Sequence, residues 1–454
     1  MHTGWVAVSR EPLPEVHVPR QLPLRALTRE AVERLGRVGA RPRLRSTAAV
    51  FTTMSALAAT SILTGPSVAE PFASSPCALR RTTAHHSEGL DTWNAAYPRP
   101  ARALDAVMVF LSFPDAAPRT TPAELAADHF PATSRFFAHA SYGKFTLRPH
   151  PQRRWIRMPR PSTSYAIRRD WSPVHRAAYL RDALAAADPY VDFSRYEVVY
   201  FVADPDAPGV DSDATKVVNL DTPLQADGTD IRRVVTVFEK HPPDRLVLAH
   251  ETGHVFDLPD LYHRPVDGKG DWDTYVGDWD LMGSQFGLAP DLFAWHKWRL
   301  GWLEPRQVAC VRGPGPTLLT LEPLGERPGV PVVGTAGAPA FGPGRGLKLA
   351  VVRTGPDSVL AFEARGPVGD DAAACRPGIL VYRVRAGEDS GGGPVQVIDA
   401  HPRTEACWEN SVYPPLADAP VALGETFTVP GDGVRVTVAG RTPSGAWTVS
   451  ITPR

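Results

Sequence analysis

His250, Glu251 and His254 spell H-E-x-x-H within the stretch LVLAHETGHVFDLPDLYH. On a helix, residues four apart share one face, so both imidazoles can point at a single metal ion. Glu251, one position on from His250, lies beside that face, where it can hold and deprotonate a water bound to the metal. Those parts make up a catalytic zinc site that hydrolyses its substrate with activated water. Two histidines and a glutamate inside an apolar stretch are costly to bury unless something binds them.

A helix has to position these side chains. Pro242 and Pro243 break whatever precedes, and Asp244 stands where an N-cap belongs. Leu246, Val247, Leu248, Ala249, Val255 and Phe256 are apolar on nearly every side, which predicts a helix buried in the core. A catalytic zinc normally takes three protein ligands and leaves one position for water. The metzincin pattern supplies its third ligand six residues after the second His, beyond a turn eased by Gly at the third. Counting from His254, the turn position holds Asp257 and the ligand position holds Asp260. Asp tolerates a left-handed turn, and Pro259 ends the helix. His263 is the competing third ligand, and a carboxylate further on remains a third choice.

HETGHVFDLPDLY followed by VGDWDLMGS resembles the immune inhibitor A family of secreted metallopeptidases (family M6). There an H-E-x-x-H-x-x-G-L-P-D-x-Y-D run precedes a G-D-W-x-x-M segment. The resemblance implies that Met282 forms a hydrophobic floor beneath the zinc. Asp257 replaces the usual Gly and His263 the usual Asp. The SYGK stretch at 141–144, the FPD strand end at 113–115 and the VLAFEARG…GILVYRV portion also resemble parts of that family. The likeness extends over roughly 105–410, with its specific motifs at 250–283.

The chain has 454 residues, room for two or three domains, and a formal charge of zero, so no nucleic-acid footprint is expected. Residues 1–45 carry nine Arg and four Glu with little periodicity. Ser46 to Thr64 is apolar but rich in Ala, Thr and Ser, and ends in Pro66-Ser67-Val68-Ala69, a small-x-small cleavage site. Residues 1–69 are read as a signal and export region rather than a membrane anchor, because the hydroxyls make the run weakly hydrophobic. Its removal takes nine Arg and four Glu from 49 basic and 49 acidic residues, leaving 40 against 45. The expected mature protein is mildly acidic, secreted and without a stable membrane span. Cys77, Cys310, Cys375 and Cys407 all follow the cleavage site, an even count that suits two disulfides. Cys375–Cys407 and Cys77–Cys310 are the pairing we expect, with Cys77 as a zinc-bound latency thiolate the alternative.

Residues 70–104 read as a short pro-segment or N-terminal arm. From 105 to 305 strands and helices alternate: strands at 107–115, FTLRP, RRWIRMP, 196–204 and 231–238, and helices at 122–140, 174–187 and 290–305. Ala177, Leu180, Leu184 and Ala187 form the predicted buried stripe of the second helix, and Trp295, Trp298 and Trp302 are predicted core. This is an α/β (α+β) zincin-like catalytic domain. Residues 306–454 break into short β runs split by Gly and Pro, predicting an all-β sandwich-like or barrel domain. Asp389-Ser390-Gly391-Gly392-Gly393-Pro394 looks like a serine-protease D-S-G-G-P run, but it carries an extra Gly and no matching upstream His and Asp. A Gly-rich hairpin loop is the expected reading. DPDAPGVDSD (204–213) is either a solvated acidic loop or a Ca²⁺ site without EF-hand spacing, and Asp271, Asp273, Asp278 and Asp280 belong to the zinc-flanking turn.

Together these features predict a secreted zinc endopeptidase acting on protein or peptide substrates. His250 and His254 hold Zn²⁺ with Asp260 or His263, and Glu251 is the general base. No tyrosine stands at the second position after Met282, where Ser284 sits, so Tyr262 and Tyr275 are the nearby candidates for stabilising the oxyanion. The alternative is a secreted binding or adhesion protein on a peptidase scaffold that keeps its metal structurally; a structural site has no use for the Glu251 base.

Overall fold

The computed structural model describes residues 76–265, 269–329 and 346–454. The expected export region, residues 1–69, lies outside them. Two apolar strands show how the layers arise. In β1 (Ala103–Ser112), Leu104, Ala106, Met108 and Phe110 enter one core, while Val107, Val109 and Leu111 enter another. Side chains alternate across a strand, so a run with both sets apolar must be covered on both faces.

Helices α1 (Pro122–His129) and α2 (Ala132–Ala140) follow β1. One helix over 122–140 is predicted, and the structure breaks it at Pro131, whose missing N–H and ring end the preceding turn while Phe130 turns extended. Likewise the FTLRP and RRWIRMP strands are one strand, β2 (Thr146–Arg157). It lies at the sheet edge, where Pro149 and Pro151 cost no ladder bond on the outer side. Helix α3 (Pro173–Ala187) covers the second core with Tyr179, Leu180, Ala183, Leu184 and Ala187. Ala177, expected on that stripe, is exposed, because Tyr179 and Ala183 set the buried face one position over.

Strands β3 (Val198–Ala203), β4 (Lys216–Ala226) and β5 (Thr229–Val237) complete a sheet of order β2-β1-β3-β5-β4. All neighbours are parallel except β4, which runs antiparallel to β5 at the other edge. Sequence reading missed β4. Its signal is the Asp227-Gly228 pair, both at positive φ (50° and 71°), which is the two-residue turn that hairpins favour. Against the first core lies α4 (Val247–Val255), buried at every position. Helix α5 (Ala294–Arg299) is shorter than the predicted 290–305 but buries Trp295 and Trp298, with Trp302 just past its end.

The C-terminal third forms two sheets. Strands β6 (Val308–Val311) and β7 (Thr317–Leu321) begin them, followed by β8 (Leu349–Arg353), β9 (Ser358–Arg365), β10 (Gly378–Arg385) and β11 (Val395–Val397). A short helix α6 (Pro414–Ala417) precedes β12 (Thr426–Thr428), β13 (Arg435–Arg441) and β14 (Trp447–Thr452). One sheet runs β11-β10-β9-β8-β6 and the other β12-β13-β14-β7. Alternation again divides the first of these. Leu349, Val351, Val359, Ala361 and Leu380 join the core that holds α4, while Ala350, Val352, Leu360, Phe362 and Ile379 meet Val436, Val449 and Ile451 of the other sheet. The molecule is thus mixed α/β, rich in sheet and poor in helix. The helix that carries His250 is packed between two sheets far apart in sequence.

Both disulfides of the expected pairing, Cys77–Cys310 and Cys375–Cys407, are present. Among the described residues no helix is long and apolar enough to cross a membrane.

Candidate functional site

Helix α4 starts later than its sequence suggests. Leu246, in a left-handed conformation, occupies the N-cap, and Asp244 contributes only its carbonyl, to Val247 N–H. The helix then carries His250, Glu251 and His254 on buried turns (6%, 9% and 5% exposed). Its C-terminus is a Schellman turn, with Leu258 N–H donating to Gly253 O (3.1 Å) and Asp257 N–H to His254 O (3.1 Å). The left-handed residue is Asp257, at φ 68°, in the place where Gly is usual.

That turn has a second effect. It presents Leu258 O to His254 Nδ1 at 2.8 Å, while Leu281 O accepts from His250 Nδ1 at 2.9 Å. With both Nδ1 atoms donating to carbonyls, each neutral ring leaves Nε2 as a lone pair. Asp260 Oδ1 lies 3.4 Å from His250 Nε2 and 3.0 Å from His254 Nε2, and it is a buried oxygen without a hydrogen-bond partner. Three acceptors therefore face one point within 4.8 Å of one another. Such a set is stable only around a positive charge, and its N,N,O donors suit zinc. Without an ion the three groups act on one another. Burial alone would raise the Asp260 carboxyl, but His254 and His250 outweigh it and hold it well below the usual range. Burial lowers His254, and Asp260 more than offsets this, raising it to about 9.

Among the described residues no other three His, Cys, Asp or Glu side chains converge in this way. Asp260 is brought to the histidines; His263 is not. Its ring lies against Tyr275 (4.9 Å) and its N–H donates to Trp272 O. In the acidic loop, Asp204 Oδ1 accepts from Asp206 N–H and Asp211 Oδ1 from Asp213 N–H, which are local turn contacts. Met282 packs under the histidine helix, so closely that a Cβ at Gly253 would lie 2.5 Å from its sulfur. Asp280 shapes that turn by accepting from Met282 N–H (2.8 Å) and Phe293 N–H (2.7 Å). Asp278 accepts from Leu288 N–H, Ser411 Oγ–H and Val412 N–H.

Glu251 faces a cleft of about 500 Å³ whose lining includes Lys216, His250, Tyr262, Trp272, Ser284 and the half-exposed Phe286. Its Oε2 accepts from Val217 N–H of the edge strand β4 at 2.6 Å. Burial raises the carboxyl above its ordinary pKa, opposed by His250, His254 and that N–H. Tyr262 borders the same cleft, where burial and then the nearby Asp260 charge push its phenol up, whereas Tyr275 packs near Gly393. A second cavity, of about 510 Å³ and lined by Asp128, His129, Arg135 and Asp370, surrounds the start of α4 and contains none of the three converging groups.

Beneath the site lies a buried ionic layer that sequence reading missed. Asp257 pairs with Arg81 (2.6 Å), His86 (2.8 Å) and Arg299 (2.9 Å). Next to it His296 bridges Glu88 (2.8 Å) and Asp280 (3.2 Å). The segment expected as a pro-segment or arm supplies Arg81, His86 and Glu88, and the His86 ring stacks on His254 at 5.9 Å. From the C-terminal sheet, Arg365 donates to the carbonyls of Trp279, Ala289 and Asp291, and Glu363 accepts from Ala294 N–H at the start of α5. The signal was there: FEAR in β9 places two charges on one face of an apolar strand.

No family model and no curated protein matches this chain. Two solved structures of wild-type OgpA from Akkermansia muciniphila are similar at 11% identity. One, at TM-score 0.24, covers 80% of this chain and 96% of that one; the other, at 0.23, covers 68% and 94%. Neither likeness is close enough to bear on function.

Proposed function

We propose that this chain is a secreted zinc-dependent endopeptidase with a zincin-like catalytic region at 105–305, of the immune inhibitor A kind that its motifs resemble. The observation that carries the reading is the convergence of His250 Nε2, His254 Nε2 and the unpartnered Asp260 Oδ1 beside Glu251 at a cleft. His250, His254 and Asp260 would hold the ion. When bound, zinc supplies Lewis-acid polarisation of the scissile carbonyl and lowers the pKa of water toward neutrality.

The chain's own residues do the rest. Glu251 takes the proton from the attacking water and delivers it to the leaving amine, as a carboxylate raised by burial is suited to do. One of its oxygens is held by Val217 N–H, which fixes the other relative to β4. Strand β4 is a sheet edge beside the cleft, so an extended peptide can add to it through main-chain hydrogen bonds. The carbonyls of Leu258 and Leu281 fix the tautomers of both imidazoles. The two disulfides suit an oxidising compartment, in keeping with export.

Purified protein should contain one zinc, cleave casein, and lose that activity on chelation. Glu251→Ala should keep its zinc and lose cleavage. Cleavage that survives Glu251→Ala refutes the mechanism.

A further inference from the structure

The loop Asp389–Pro394, between β10 and β11, reaches the candidate metal centre from the C-terminal sheet. Asp260 N–H donates to Ser390 Oγ at 2.8 Å, and that hydroxyl lies 3.3 Å from Asp260 Oδ2, to which it donates. Gly391 N–H donates to Asp260 O at 2.9 Å. One residue is gripped at its N–H and one carboxylate oxygen by Ser390, 130 positions on in sequence, and at its carbonyl by the next residue, Gly391. The oxygen left out of this grip is Oδ1, the one that faces the two imidazoles.

We propose that Ser390 is a positioning residue that fixes the Asp260 carboxylate for metal binding, so that the metal centre is completed from the C-terminal sheet. This rests on the reading of Asp260 as a ligand. The need for it is local. His250 and His254 are set by the helix that carries them, but Asp260 lies in irregular chain beyond the helix end, where no regular element sets its direction. A hydroxyl has one proton and two lone pairs, so Ser390 can accept from the Asp260 backbone and donate to its side chain together.

The loop is itself held. His85 N–H donates to Asp389 Oδ1 at 2.7 Å, and Ser390 N–H donates to His85 O at 3.2 Å. Gly393, at φ 86°, lies so near Tyr275 that a Cβ there would sit 3.1 Å from the ring. The loop is thus clamped between the N-terminal arm and the segment after Asp260, and a displacement of it would be felt at the carboxylate.

The test is a competitive chelator titration of zinc on the full chain, with the visible spectrum of the cobalt-substituted protein and thermal unfolding of the zinc-free form. Ser390→Ala, Ser390→Thr and Asp260→Ala are compared with wild type. Ser390→Ala should bind zinc on the order of tenfold more weakly, as loss of an outer contact to a ligand does, and shift the cobalt bands. Its zinc-free form should unfold like wild type, and Ser390→Thr, which keeps the hydroxyl, should restore affinity and spectrum. Wild-type affinity and spectrum in Ser390→Ala, alongside a loss in Asp260→Ala, overturns this inference and leaves the ligand reading standing. A loss that Ser390→Thr does not repair is a packing effect and also overturns it. Wild-type protein that takes up no zinc, or Asp260→Ala that binds as tightly as wild type, overturns the ligand reading itself.

Discussion

Two buried histidine–carboxylate clusters lie side by side in this molecule and are built on opposite plans. Around His296 the charges close on themselves: Glu88, Asp257 and Asp280 face Arg81, Arg299 and the imidazole, three carboxylates against three cations. His86, which burial pushes down to about 4, stays neutral and adds a hydrogen bond to Asp257. Around His250 and His254 the cluster is left open. Both Nδ1 atoms are engaged by carbonyls, and both Nε2 atoms converge with Asp260 Oδ1 on one point. A closed cluster uses its charges to hold elements together, whereas an open one beside a cleft leaves donor atoms facing a shared point. Burial and residue type do not separate the two; the direction of the lone pairs does.

The sharpest way to break the comparison is to delete a member of the open cluster. His254→Ala should abolish stoichiometric zinc and all metal-dependent cleavage, read by metal analysis and peptide hydrolysis, while the closed cluster keeps the chain folded. Glu251→Gln, which leaves the three converging groups in place, should keep zinc and lower kcat by roughly 10²–10⁴-fold, the span of general acid–base catalysis.

The closed cluster should respond in stability instead. Asp257→Gly restores the residue that a left-handed turn prefers, worth about 1–2 kcal/mol, but it strips the partner from Arg81 and Arg299, a loss of about 3–5 kcal/mol. The stranded guanidinium charges outweigh the relieved backbone strain, so chemical denaturation should show a net loss of roughly 1–4 kcal/mol. A gain in stability would mean that the ionic layer contributes nothing.

The smallest effect is in pH. Burial alone depresses His296, but Glu88 and Asp280 outweigh it and raise its pKa to about 9. A raised folded-state value means that the protonated ring's contribution is complete below its unfolded pKa of about 6.5 and is lost as pH climbs through about 9. Thermal unfolding of the metal-free chain should therefore weaken on that alkaline limb, and His296→Gln should reduce that loss, the remainder belonging to His254, which is raised to about 9 in the same way.

The parts of the site that follow from local geometry were legible beforehand. A helical repeat puts His250 and His254 on one face and the apolar surround buries that helix, whereas Met282 as a floor came from the family resemblance. Other local signals were present and missed, such as the Asp227-Gly228 turn that creates β4, the strand holding Glu251. The break at Pro131 was legible too, since a proline inside a helix removes a hydrogen bond and its ring clashes with the preceding turn.

What the chain alone determined is the pair of imidazoles with Glu251 beside them, since residues within one helical turn are related by backbone geometry that tertiary contacts do not alter. What only the folded molecule decided is the third group, Asp260 rather than His263, because both lie past the helix end, where direction comes from contacts and not from periodicity. Those contacts are Ser390 and Gly391 on Asp260, with Leu281 O orienting His250 from the segment after it. A hydrogen bond between residues 130 positions apart leaves no spacing to read. The Gly-rich loop at 389–394 is the hairpin its sequence predicts, and only the fold shows that it lies against the candidate metal centre.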